Sequence, residues 1–173
     1  MSELEDKAFR LRKKLNEQGL GHYGNKRWNQ LIAAMDNIED AAVGLDSLLE
    51  NGIGVSTGEK YLRLFGVLQL VYSQQDSFMF IHKVVTGEKN FSAKPFHSWS
   101  YLRGLRNSVF GHPAGNGGAV SRITIRSDTF TVAVWDESKD KLGFEEVDFQ
   151  RHLLAYQAEI GAQVDALVSL YPT

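Results

Sequence analysis

The sequence predicts a mainly α protein: a helical bundle of four long helices and one shorter helix. A small antiparallel β-hairpin or three-stranded sheet is inserted before the C-terminal helix. Three features carry this reading. Apolar residues recur at helical spacing through the first two thirds of the chain, the period changes to two after Ala119, and a helical stripe returns at Phe149. A chain of 173 residues suits a single domain spanning 1–173, with the β insert at about 119–147.

Leu4, Ala8, Leu11 and Leu15 share one face of a first helix, which the three glycines of "GLGHYGN" are expected to end. A second helix, about Lys26 to Glu50, carries Trp28, Leu31, Ile32, Met35, Ile38, Ala42, Leu45 and Leu49 on a broad apolar stripe. After the loop "NGIGVSTG", Ser56 and Glu59 have the spacing of a capping box that opens a third helix, about Glu59 to Val85. That helix is apolar on more than one side, as a central element should be. Its middle nonetheless holds the polar patch Ser73, Gln74, Gln75, Asp76 and Ser77, which either faces the site and positions Arg106 or faces solvent. A shorter helix runs from about Ser98 to Phe110, with Trp99, Leu102, Leu105 and Val109 toward the core. "VSRITIRS" and "TFTVAVW" then alternate with period two, "LGFEEV" offers a third short strand, and the last helix presents Phe149, Leu153, Tyr156, Ile160, Val164, Leu167 and Tyr171 on one stripe.

Composition narrows the function classes. No apolar run approaches the ~18 residues of a membrane span, and "MSELEDKAFRLRKK" lacks the apolar core of a signal peptide, so a cytoplasmic protein is expected. Without cysteine there is no disulfide framework, zinc–thiolate site or thiol nucleophile. The net charge of −2 is unevenly spread: Lys89 to Ser127 contains no Asp or Glu but six Lys and Arg, leaving −8 for the rest. This acid-free stretch is a candidate anion-binding zone.

Within it lies "LRNSVFGHPAGNGG", Leu105 to Gly118. Gly111 and Pro113 are a helix stop, so the helix should end near Phe110 with His112 pushed extended by the following proline. In a continued helix Arg106 and His112 would lie about 240° apart; a glycine-driven reversal lets the imidazole fold back toward the guanidinium. The C-terminal end of the helix dipole favours the imidazolium and Arg106 opposes it, which suits a histidine titrating near neutrality. An arginine fork matches a phosphate, and an Arg–His pair beside a phosphodiester is a minimal apparatus for metal-independent RNA cleavage. The plain alternative has Arg106 pairing with the acidic surface and His112 capping the helix.

Arg106, Asn107 and His112, with five residues between arginine and histidine, resemble the Arg-x(4–6)-His motif of HEPN domains, in which a polar residue commonly follows the arginine. Leu105, Gly111 and Pro113 are similar to the motif's flanks, and the helical layout resembles the family bundle, whose minimal form lacks the β insert. The resemblance implies a metal-independent endoribonuclease cleaving RNA by 2′-hydroxyl transesterification. It implies a homodimer whose two motifs form one composite cleft, serving as a toxin or antiviral-defence effector with a neutralising or operon partner. Arg106 and His112 would be catalytic and Asn107 would orient the site. The alternative within the family is a non-catalytic interaction or RNA-binding protein. One subgroup carries a tyrosine two residues after the histidine; Ala114 stands there in this chain.

Arg103, one turn before Arg106, and Arg122 and Arg126 on one strand face are candidates to contact neighbouring RNA phosphates. No metal and no cofactor is expected. His22, His82, His97 and His152 stand alone in sequence, "GHPAGNGG" lacks the Gly-Lys-Ser/Thr of a P-loop, and no Gly-x-Ser-x-Gly occurs.

Overall fold

The computed structural model describes residues 3–88, 91–107, 121–126, 129–136 and 141–171, with the backbone alone described over the strands as far as residue 145. Helix α1, Glu3–Tyr23, buries Leu4, Ala8, Leu11 and Leu15 as the spacing requires. It ends at Tyr23, within the glycine cluster as expected, with Gly24 at φ 73°. Gly19 alone leaves the helix (φ 66°, ψ −175°) and one further turn follows, because glycine enters positive φ without a Cβ penalty and the chain on either side remains helical. The kink delivers Tyr23 to stack on Trp28 at 6.2 Å and to meet the Tyr171 hydroxyl at 3.1 Å.

Helix α2, Asn25–Asn51, turns its apolar stripe inward, with Leu31, Met35, Ile38, Ala42 and Leu45 fully buried. Helix α3, Thr57–Thr86, starts at Ser56, whose hydroxyl accepts the Glu59 N–H at 3.2 Å. The return bond of the capping box goes one residue further upstream: Glu59 accepts from the Val55 N–H at 3.0 Å, which holds its carboxyl below the usual carboxylate range. Gly87, left-handed at φ 74°, closes the helix. Helix α4 spans His97–Arg106, and α5 spans Phe149–Ser169 from Asp148, whose carboxylate accepts the Arg151 N–H at 3.0 Å.

Three antiparallel strands lie between α4 and α5 in the order β1-β2-β3: β1 Ser121–Arg126, β2 Thr129–Asp136 and β3 Lys141–Val147. Ser121 pairs with Val134 and Arg126 with Thr129 across the first ladder, and Asp136 pairs with Lys141 across the second.

Each helix packs on the next, and α5 closes the ring by packing on α1. One hydrophobic cluster draws on all five helices and Val147, with Trp99, Tyr156 and Phe78 its largest fully buried side chains. The molecule is therefore a mainly helical bundle. Among the described residues no helix is long and apolar enough to cross a membrane.

The polar patch of α3 does not face solvent as a whole. Gln74, Gln75 and Ser77 are buried. Gln74 donates to the Ile38 carbonyl at 2.9 Å and accepts the Tyr156 hydroxyl at 2.9 Å, so one amide ties α3 to α2 and α5 inside the core. A buried amide is tolerated there because both its ends are hydrogen-bonded.

Candidate functional site

Two arginines leave α4 on successive turns, and the helix that carries them is held by its buried face and by its first turn. Trp99 and Leu102 are fully buried and Leu105 nearly so. The first turn has no side-chain cap of its own. Instead Glu159 of α5 accepts the Ser98 N–H at 3.0 Å and the Trp99 N–H at 2.7 Å, so a carboxylate from a different helix satisfies the orphan donors and complements the helix dipole. At the same residue, Gln75 of α3 donates to the Trp99 carbonyl at 3.0 Å.

The arginines then meet one face of α3. The Arg106 guanidinium carbon lies 4.0 Å from the Tyr72 ring centroid and that of Arg103 lies 4.4 Å from it, so a single ring holds two cations. Hydrogen bonds set the direction of each fork. Arg103 donates to Gln75 Oε1 at 3.2 Å and to Asp76 Oδ1 at 2.7 Å. Arg106 donates to Gln69 Oε1 and to Asn107 Oδ1, each at 3.3 Å. Residues 69, 72 and 75–76 recur with the helical period, as 103 and 106 do, so two facing ridges bring these groups into register.

The structure thus brings together Arg106, Asn107 and Arg103 of the residues singled out in the sequence. The polar patch positions Arg103 through Gln75 and Asp76, whereas the neighbours of Arg106 are Gln69 and Tyr72, which lie just before the patch. Arg103 is engaged by a carboxylate and an amide on α3. His112, the helix stop at Gly111 and Pro113, and the expected extension of α4 to Phe110 lie outside the described residues. Arg122 and Arg126 stand on β1, opposite Ala133 and Thr129 in the backbone register.

The histidines are less isolated than their spacing indicates. His152 of α5 stacks on Tyr101 at 4.0 Å and on His97 at 5.8 Å, and its Nδ1 lies 3.3 Å from Ser98 Oγ. This stack forms because α4 and α5 are neighbours, which local spacing cannot show. His22 lies edge-on to Tyr23, and His82 lies against Phe78 and Phe91. Among the described residues no group of three or more His, Cys, Asp or Glu side chains is placed to hold a metal ion.

Of two concave features of the surface, one adjoins the site. An open groove of about 440 Å³ runs between α2 and α3 and reaches Gln69, Tyr72 and Asp76 at the arginine pair. A larger cavity of about 790 Å³ lies between the α2–α3 loop and the start of α5, lined by Leu48, Ile53, Val55, Phe149 and Leu153 among others, and shares no lining residue with the arginine site. Comparison with family models, with curated proteins and with solved structures finds no match to this chain.

Proposed function

We propose that the chain is a HEPN-like, metal-independent endoribonuclease that acts as a homodimer on single-stranded or loop RNA, where the backbone is accessible. The observation that supports this reading most is the fixing of Arg106. Its guanidinium rests on Tyr72 and is directed by Gln69 and Asn107 in the last described turn of an anchored helix, with His112 six residues further along the chain. A guanidinium oriented in advance stabilises the charge that gathers on the phosphoryl oxygens without reorganising as it develops.

In this reaction the 2′-oxygen attacks phosphorus and the bond from phosphorus to the 5′-oxygen breaks. The products are a 2′,3′-cyclic phosphate and a 5′-hydroxyl. In a homodimer the two His112 imidazoles divide the proton work: one takes the 2′-hydroxyl proton and the other protonates the departing 5′-oxygen. A toxin or defence effector of this kind is held in check by a partner protein.

The test is incubation of purified protein with labelled RNA in EDTA, alongside His112→Ala and Arg106→Ala. Wild-type protein should cut, and His112→Ala should cut about 10²–10⁴-fold more slowly while remaining folded. Undiminished cleavage by the His112 variant overturns the assignment. RNA bound but left intact by the wild-type chain favours the non-catalytic reading instead.

A further inference from the structure

We infer that the groove between α2 and α3 is the nucleobase subsite of the arginine site, taking one unstacked base of a single-stranded RNA whose adjacent phosphate lies on Arg106. The inference rests on the RNA reading above and adds to it where the base goes.

Position carries the first part of the argument. Gln69 and Tyr72 belong to both features: they line the groove, and they hold the Arg106 guanidinium. A phosphate on Arg106 therefore has the mouth of the groove beside it, at the distance of neighbouring side chains on one helix face. The groove's volume, about 440 Å³, falls within the ~300–1,000 Å³ usual for small-molecule sites.

Chemistry carries the second part. Among the described residues, none of the groove's lining side chains is a Lys or Arg, and its one charged member, Asp76, is already paired with Arg103. Such a surface does not attract a phosphate. It offers amides from Gln30 and Gln69, the Ser73 hydroxyl, and the ring of Phe80. Amides and hydroxyls supply both donors and acceptors, as the edge of a base requires, and an aromatic ring supplies stacking surface. Cation and base-reading groups are thus separated along one face, in the order in which a nucleotide presents phosphate and base.

The test uses the full chain and two short fluorescein-labelled oligonucleotides of equal length and charge. One is 2′-O-methyl RNA, which cannot undergo transesterification, and the other is its abasic counterpart. By fluorescence anisotropy, the wild-type chain should bind the base-bearing strand about tenfold more tightly than the abasic one. Gln30→Ala/Ser73→Ala, altering one residue on each wall, should lose that preference and keep the abasic affinity. The single Gln30→Ala variant, at an exposed helix position, should lose part of it and serves if the double variant is unfolded by circular dichroism. Arg106→Ala should weaken both strands together. Equal wild-type affinity for the two strands, or a preference that survives in both groove variants, overturns the base subsite and leaves the phosphate site standing. Failure of the wild-type chain to bind either strand overturns the RNA reading and the subsite with it.

Discussion

Replacing Tyr72 with leucine removes the ring from two guanidinium groups while keeping an apolar, helix-forming side chain at that position. The guanidinium carbons at 4.0 and 4.4 Å lie well inside the ~6 Å range of cation–π attraction. At partly exposed positions each contact contributes about 0.5–1 kcal/mol, so the two together amount to about 1–2 kcal/mol. For a chain of this size each kcal/mol moves the melting temperature by about 2–4 °C, giving an expected loss of about 2–8 °C. The consequences for the two arginines differ. Arg103 keeps its ion pair with Asp76, whereas Arg106 keeps two amide contacts at 3.3 Å and loses the surface on which its plane rests. Cleavage of labelled RNA should therefore fall by about tenfold, the equivalent of about 1.4 kcal/mol of lost transition-state stabilisation. Tyr72→Phe keeps the ring and should match wild type in both assays. A leucine variant that melts and cuts like wild type would refute the platform. A phenylalanine variant as impaired as leucine would move the role from the ring to the hydroxyl.

Two further outcomes follow from the core. Tyr156→Phe leaves Gln74 Oε1 buried without its 2.9 Å donor and should cost about 1–3 kcal/mol in urea unfolding. Adding Gln74→Leu to it should cost less than the two single changes summed, since that change removes the stranded acceptor; strict additivity would count against the bond. Burial first, and then the Glu159 charge, push the Tyr156 hydroxyl well above its ordinary range; burial and the Tyr23 hydroxyl do the same at Tyr171. Both favour the protonated form in the folded chain. Their contribution to stability is whole below the unfolded tyrosine value of about 10 and is lost as pH rises above it. Ultraviolet difference titration should show these two hydroxyls ionising later than the rest, with unfolding setting in at alkaline pH; six tyrosines titrating together near 10 would contradict the burial.

Much of the fold could be read from the sequence because burial and periodicity report the same fact. Most residues spaced for a common face in each long helix are excluded from water by the core, while Trp28, Ile32, Leu49, Phe65, Met79 and Tyr171 lie at its margin, partly exposed. The first helix shows where that logic stops. Three glycines within six residues indicate a break, and α1 ends among them at Tyr23; spacing does not show that Gly19 kinks the helix one turn earlier, where Tyr23 then meets both Trp28 and Tyr171. The Ser56–Glu59 spacing located the start of α3, whereas the partner of Glu59 is Val55, because loop geometry and not spacing decides which N–H comes within reach. At the site, Arg106 and Asn107 were legible from their local motif. Tyr72, Gln69, Gln75 and Glu159 were not, since each reaches α4 from another helix. The only trace in the sequence is that positions 69, 72 and 75–76 repeat with the period of 103 and 106, and that trace acquires meaning once α3 and α4 are known to be neighbours.

The same point corrects how the charge of the site should be counted. A window from Lys89 to Ser127 holds six cations and no acid, which overstates the local field because the fold brings carboxylates from outside the window. Asp76 reaches Arg103 from α3 at 2.7 Å, and Glu159 reaches the first turn of α4 from α5. Arg103 thereby contributes less to attracting an anion than its place in the window implies, and more to fixing the position of Tyr72, against which it packs beside Arg106. The contacts of Arg106 with α3 include a ring face and an amide oxygen, both of which orient a guanidinium. Two arginines one turn apart, alike in sequence, are set differently by their partners on α3: Arg103 is paired with Asp76 and packs on the ring of Tyr72, and Arg106 rests on the same ring with its fork directed by Gln69 and Asn107.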